Sequence, residues 1–278
     1  MRTTLLAVAA MVAFVGIGPG VWVPVHAQET PAENTRIVTS LVALYRADRV
    51  TEDGMMIELA EAVERLNLQI RPAPPPAVSV EEGAVVFGPS PETYVPGVFS
   101  TRPATEIIEA LKETGQLTVE AWISAANDTQ DGPARIVSIS HDASSRNMTL
   151  GQEKSAFVLR LRTSETNEQG TPPITTPENT VRPGELQHLA VTYDGHAAVF
   201  YVDGEAVSET THFSGDTGIA SLQNWDETMH LMLGNEFDGQ RFWCGKIYLA
   251  AIYGDSLSSE QVQTNYAAGL PQSGEQTE

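Results

Sequence analysis

Paired acids are the first thing to look for in a chain of unknown chemistry, and Glu236-Phe237-Asp238 is the clearest pair here. Two carboxyls two residues apart leave one face of a strand together, the arrangement that glycoside hydrolysis uses at a separation of about 5–5.5 Å. Gly239 follows directly, however, so the pair reads as part of a loop, where solvated acids are ordinary. Glu120 is the only acid inside a well-marked strand of its region, and its neighbours two positions away are Thr118 and Trp122, not carboxylates. His141, His196, His212 and His230 are scattered, with no pair at metal-ligand spacing. His188 opens an apolar strand, where packing is the simpler role. The chain has no Gly-rich phosphate loop and no nucleophile elbow. These residues do not add up to a catalytic constellation.

Binding chemistry is better represented. Arg160 and Arg162 lie two apart in an alternating segment, so both guanidinium groups leave one face about 7 Å apart. Their planar forks suit carboxylate or sulfate, which makes an acidic glycan one expectation. The competing expectation is that acids on a neighbouring strand, such as Glu120, neutralise them. Trp225 falls in the polar stretch Leu222-Gln-Asn-Trp-Asp-Glu227, where a ring either stacks on a sugar or partner, or closes the edge of a core. Asn235, Glu236 and Asp238, with Asn127, Asp128 and Asp131, are hard oxygen donors of the kind calcium takes, although no regular calcium loop is spelled out. Cys244 is the single cysteine, so no intrachain disulfide exists; after Phe242-Trp243 it reads as a buried, inert thiol.

The elements that must position these residues are short strands. Leu41–Tyr45, Leu68–Ile70, Ala84–Phe87, Leu117–Ile123, Ile136–Ile139, Phe157–Leu161, Leu189–Tyr193, Ala198–Val202, Leu231–Leu233 and Ile247–Tyr253 are apolar or alternating, and turn residues separate them. Asp203-Gly204 marks a hairpin turn, where both positions need positive φ. Ile247–Tyr253 is apolar on both faces, which predicts a strand covered on both sides. Helical spacing predicts helices over Met56–Leu66 and Thr105–Lys112, and Ser258 with Gln261 forms a capping box that starts a third, ending at Gly269. Many strands with few helices predict an all-β fold: a two-sheet antiparallel sandwich.

Several runs resemble one family. His188-Leu-Ala-Val-Thr-Tyr-Asp-Gly195 followed by Val199-Phe-Tyr-Val-Asp-Gly204 is similar to the central hairpin of laminin-G-like jelly-roll domains. Leu233-Gly-Asn235, Phe242 to Ile247, Ala251-Ile-Tyr253 and Leu257 to Val262 resemble that family's closing pattern. Leu117–Ile123 resembles the strand that precedes the hairpin, and Leu41–Tyr45 the opening strand. The matches cover residues 117–266 in the family's order, and segments such as Arg146–Gln152 look like its bacterial surface-protein branch. The resemblance implies a concanavalin A-like jelly roll. It also implies that calcium, where bound, sits at the sandwich rim.

Composition narrows the partners. With 16 Lys+Arg against 36 Asp+Glu the chain carries a net charge of −20, which disfavours nucleic acid and anionic lipid surfaces. Arg2, the apolar run Leu5–Gly18 and Val25-His26-Ala27 follow the order of a secretory signal over residues 1–27, too short to span a bilayer comfortably. Its removal would leave 15 basic and 36 acidic residues, a net charge of −21. Residues 28–37 read as a flexible segment, 38–270 as one sandwich domain and 271–278 as a disordered tail. About 250 residues bury enough apolar surface to fold without disulfides. The leading expectation is an exported, non-catalytic module, at the surface, in the periplasm or outside the cell, that recognises a glycan or protein. A polysaccharide-active hydrolase or lyase is the alternative, and a structural part of a surface complex the third reading.

Overall fold

The computed structural model describes residues 14–16, 22–24, 35–56, 66–70, 78–88, 97–211 and 218–270. The chain divides into two units, residues 1–34 and 35–278. In the first, β1 (Phe14–Gly16) pairs antiparallel with β2 (Trp22–Pro24). The helix expected over Met56–Leu66 lies mostly outside the described residues, and so does the 271–278 tail.

The second unit begins with β3 (Leu41–Arg46), β4 (Met55–Met56), β5 (Leu68–Ile70), β6 (Val78–Glu81), β7 (Ala84–Phe87) and β8 (Val98–Ser100). Helix α1 (Thr105–Thr114) precedes β9 (Leu117–Ala125), β10 (Ala134–Ser140), β11 (Arg146–Glu153), β12 (Ala156–Leu161) and β13 (Ile174–Thr175). Then come β14 (Gln187–Tyr193), β15 (Ala198–Val202), β16 (Glu205–Thr210), β17 (His230–Leu233), β18 (Gly245–Tyr253) and helix α2 (Ser259–Ala268). One sheet runs β13-β12-β11-β10-β17-β8-β5-β4. The other runs β16-β15-β14-β9-β18-β7-β6, with β3 also on β18, and the strand pairs are antiparallel. This is the two-layer all-β sandwich that the strand pattern implies.

Alternation explains which face each strand buries. Val119, Ala121 and Ile123 of β9 meet Leu189 and Val191 of β14 and, from the opposite sheet, Ile139, Leu150 and Leu159 in one continuous core. Ile107, Ile108 and Leu111 of α1 join it. The Asp203-Gly204 turn has φ of 52° and 79°, as a tight hairpin turn requires.

The far face of β18 is covered too. Leu249, Ala251 and Tyr253 form a second apolar cluster with Trp122, Tyr201 and Val262 under α2, and the Tyr266 ring stacks on Trp122 at 5.8 Å. The capping box at Ser258 and Gln261 is formed as the spacing predicts. Beneath the helix sits Glu120, 1% exposed. It accepts bonds from Arg36, from Asn265 Nδ2 at 2.9 Å and from the Tyr253 hydroxyl at 3.1 Å, while His188 Nε2 lies 3.0 Å away. Burial would raise its pKa, but the Arg36 charge and the His188 bond outweigh that and hold the carboxyl at about 2. Asn265 Oδ1 accepts the Ile37 N–H at 2.8 Å, so this hub ties the segment entering β3 to α2.

Candidate functional site

The distinctive chemistry lies on the opposite sheet, on the face turned away from the core. Strand β10 carries Arg135, Ser138 and Ser140 there, β11 carries Arg146 and Thr149, and β12 carries Arg160. A strict period of two would not gather them, because Arg135 to Ser138 and Arg146 to Thr149 are odd spacings. Two register shifts in the β10–β11 pair, between Arg135 and Val137 and between Ile139 and Ser140, correct the phase. Ser138 then stands opposite Thr149, Ser140 opposite Arg146, and Thr149 opposite Arg160.

Glu236 reaches this face from the turn after β17. That turn depends on Gly234, at φ 73°, where an added Cβ would lie 1.9 Å from the Phe87 ring. The Glu236 carboxylate accepts Arg135 Nε at 2.9 Å and the Ser140 hydroxyl, and Ser140 is linked through Ser138 to Thr149 at 2.8 and 3.0 Å. A group of guanidinium ions gathers here: Arg146 feels the charges of Arg135, Arg160 and Arg241, Arg135 those of Arg241 and Arg160, and Arg160 that of Arg241 together with the Glu153 carboxylate. Burial first, then Arg135 and Arg160, push the Arg146 pKa down to about 10; Arg135 and Arg160 are lowered as well, with burial the largest cause.

Hydrogen-bond capacity is left over. Arg135 Nη2, Arg146 Nε and Nη1, and Arg160 Nε are buried with no acceptor. A buried, unsatisfied, like-charged cluster costs stability, and an anion beside it offsets that cost. Arg160 is half-buried and Arg241 exposed, and these two form the solvent side of the cluster. An aromatic flank adjoins it. Phe237, 45% exposed, lies edge-on to Phe99 at 6.1 Å and over His230 at 5.0 Å, and His230 stands opposite Ser140 in the ladder.

The residues singled out from sequence land in different places. Arg160 belongs to the cluster. Arg162 lies just past β12, where its charge helps hold the Asp226 carboxyl below the usual range, after the bonds from Thr228. The expected pairing of these arginines with Glu120 is corrected: Glu120 is in the other sheet, engaged under α2. Trp225 offers no ring face for stacking. It is 3% exposed in the core, and its Nε1 donates to the Arg162 carbonyl at 2.7 Å.

Three of the oxygen donors considered for calcium, Asn235, Glu236 and Asp238, also turn elsewhere. Asn235 Oδ1 accepts the N–H groups of Glu236 and Arg241 at 2.8 and 3.0 Å, and Asp238 Oδ1 that of Gln240 at 3.0 Å, while Glu236 is held by Arg135. Among the described residues no group of three or more His, Cys, Asp or Glu is arranged to hold a metal ion. Glu236 and Asp238 are not a carboxyl pair either, since one is locked in the arginine cluster and the other caps a surface turn. Sequence reasoning missed Arg135, Arg146, Ser138 and Ser140; the polar residues punctuating an apolar β10 were the available signal.

Among the described residues no helix is long and apolar enough to cross a membrane. No curated protein matches the chain. Solved structures do. The botulinum neurotoxin serotype D/C VPI 5993 binding domain superposes with a TM-score of 0.60 at 11% identity, covering 83% of this chain and 52% of that one. The binding domain of botulinum neurotoxin DC in complex with rat synaptotagmin II gives 0.56 at 14%, covering 84% and 52%. Trypanosoma rangeli sialidase in complex with 2,3-difluorosialic acid gives 0.56 at 12%, covering 82% and 33%. The chain spans between a third and about half the length of these proteins, and at such identities the likeness is one of fold. A laminin-G family model of the concanavalin A-like lectin/glucanase superfamily matches residues 101–263, more than half of the sequence, and the chain belongs to that family.

Proposed function

We propose that this protein is an exported, non-catalytic recognition module that binds an acidic glycan on the arginine-bearing face of β10, β11 and β12. One observation carries the reading: four guanidinium nitrogens of Arg135, Arg146 and Arg160 are buried without acceptors, in a chain of net charge −20. Carboxylate or sulfate groups supply the missing acceptors in the bidentate geometry that guanidinium prefers. The site needs no metal, because the arginines already provide the positive charge. Phe237 offers an apolar face beside it for a sugar ring. Export follows from the signal-like order of residues 1–27.

The test is an array of carboxylated, sulfated and neutral polysaccharides, read at several salt concentrations. Binding confined to acidic polysaccharides and weakened by salt is expected. Arg146→Gln with Arg160→Gln should raise Kd by about a hundredfold or more, since charged hydrogen bonds contribute about 1.5–3 kcal/mol each and at least two are lost. The variant also loses the Arg146 bond to the Ala143 carbonyl, so a thermal melt read beside the titration checks that the fold survives. Equal binding of neutral and acidic ligands, or a variant that binds as before, overturns the reading. A protein partner is the second reading, favoured by the rat synaptotagmin II complex of a similar fold. Acid-rich peptides on the same array distinguish it.

A further inference from the structure

We infer that the ligand is an acidic oligosaccharide that lies across two adjoining subsites, the arginine cluster and a cleft at the end of the sandwich. The inference rests on the acidic-glycan reading above and adds the length and sequence of the ligand. The cleft has a volume of about 670 Å³ and is walled by Gly88, Asn127, Gln130, Arg241, Phe242 and Cys244, among others. That volume lies within the range of about 300–1,000 Å³ usual for small-ligand sites.

Its floor is pre-organised by side-chain amides. Gln130 Nε2 donates to the Cys244 carbonyl at 2.9 Å and to Gln152 Oε1 at 3.1 Å, and Gln130 Oε1 accepts the Cys244 N–H at 2.6 Å. Gln152 in turn donates to the Asn127 carbonyl at 2.7 Å and accepts Trp243 Nε1 at 2.8 Å. The groups left facing outward are the exposed Asp131, Gln240 and Arg241, with half-buried Phe242 as a flat apolar wall. One acid, one guanidinium, an amide and an aromatic ring suit a neutral polyhydroxylated ring rather than a second anion.

The two sites share a wall. Arg241 lines the cleft, its charge acts on Arg135, Arg146 and Arg160, and its main-chain carbonyl accepts the Arg135 main-chain N–H at 3.0 Å. A chain entering past Arg241 therefore places a neutral ring in the cleft and a neighbouring acidic one against Arg160, on the solvent side of the cluster. A free acidic monosaccharide fills only the second position.

Calorimetric titration of the full chain with a free hexuronic acid, and with a tetrasaccharide alternating hexuronic acid and neutral hexose, tests this. The tetrasaccharide should bind at least tenfold more tightly, and Asp131→Ala with Gln240→Ala, two exposed groups that line only the cleft, should remove most of that advantage while leaving the monosaccharide unchanged. Cys244, 8% exposed on the cleft and the only cysteine, gives an independent readout. Its labelling by a small thiol reagent should slow at least fivefold with the tetrasaccharide and not with the monosaccharide. If both ligands bind alike and the Asp131→Ala, Gln240→Ala variant changes neither, the two-subsite inference fails and the acidic-glycan reading stands. If neither acidic ligand binds, that reading itself fails.

Discussion

Two buried glutamates, Glu120 and Glu236, lie in opposite sheets and do different work. Glu120 has every lone pair engaged and a full set of partners in Arg36, His188, Tyr253 and Asn265. Glu236 answers Arg135 and Ser140, and the Glu153 carboxylate acts on Arg160, so two acids stand against Arg135, Arg146, Arg160 and Arg241. Both arrangements keep buried nitrogens without partners, Arg36 Nε and His188 Nδ1 at the first, but the second gathers four of them on like-charged arginines. Glu120→Gln should therefore cost about 3–5 kcal/mol, because Arg36 and His188 lose a buried charged partner. Chemical denaturation measures this, and a variant as stable as the parent would show that the hub does not anchor the fold. Acidic-glycan affinity should be unchanged in the same variant.

At the scale of elements, β-bulges and helix caps decide what the strands present. The β10–β11 register shifts turn Arg135, Ser138, Ser140, Arg146 and Thr149 to one face, although their numbering has no constant parity. On the other sheet, α2 covers Trp122 and Tyr253, and its first turn depends on the Ser258 side chain accepting from Gln261 N–H. Ser258→Ala should lower stability by about 1 kcal/mol, the usual cost of losing such a cap. Urea denaturation should show a lower midpoint at an unchanged slope. Because α2 and the arginine face belong to different sheets, binding should not respond; a variant that loses affinity would mean the two faces are coupled.

For the molecule as a whole, the Glu120 hub links stability to pH. A carboxyl whose pKa falls from 4.5 to about 2 on folding adds stability that is fully present above about 4.5. That stability is lost as pH falls from there through about 2. Thermal melts across this window should show the midpoint dropping steeply in the parent. In Glu120→Gln the drop should be shallower, since the titrating group is gone. Equal slopes in the two proteins would place the acid sensitivity elsewhere among the 36 acidic residues.

Local pattern alone carried much of the architecture. Alternation and turn residues marked the strands around Leu117–Ile123, Leu189–Tyr193 and Ala198–Val202, the capping box marked α2, and the two-sided apolar run Ile247–Tyr253 announced a doubly covered strand. These signals are legible because they depend on neighbours two to four residues away. Weak or short strands such as Met55–Met56, Ile174–Thr175 and Glu205–Thr210 carry little apolar pattern and exist because a neighbouring strand offers hydrogen bonds. The arginine face was only partly legible. Arg160 stood out by its charge, but its companions lie 14 and 25 residues earlier and are brought beside it by antiparallel pairing and two bulges. Trp225 and Glu236 looked like surface groups because their sequence neighbours are polar. Tertiary packing buried both, one against the Arg162 carbonyl and the other against Arg135, because what surrounds a side chain is set by contacts distant in sequence.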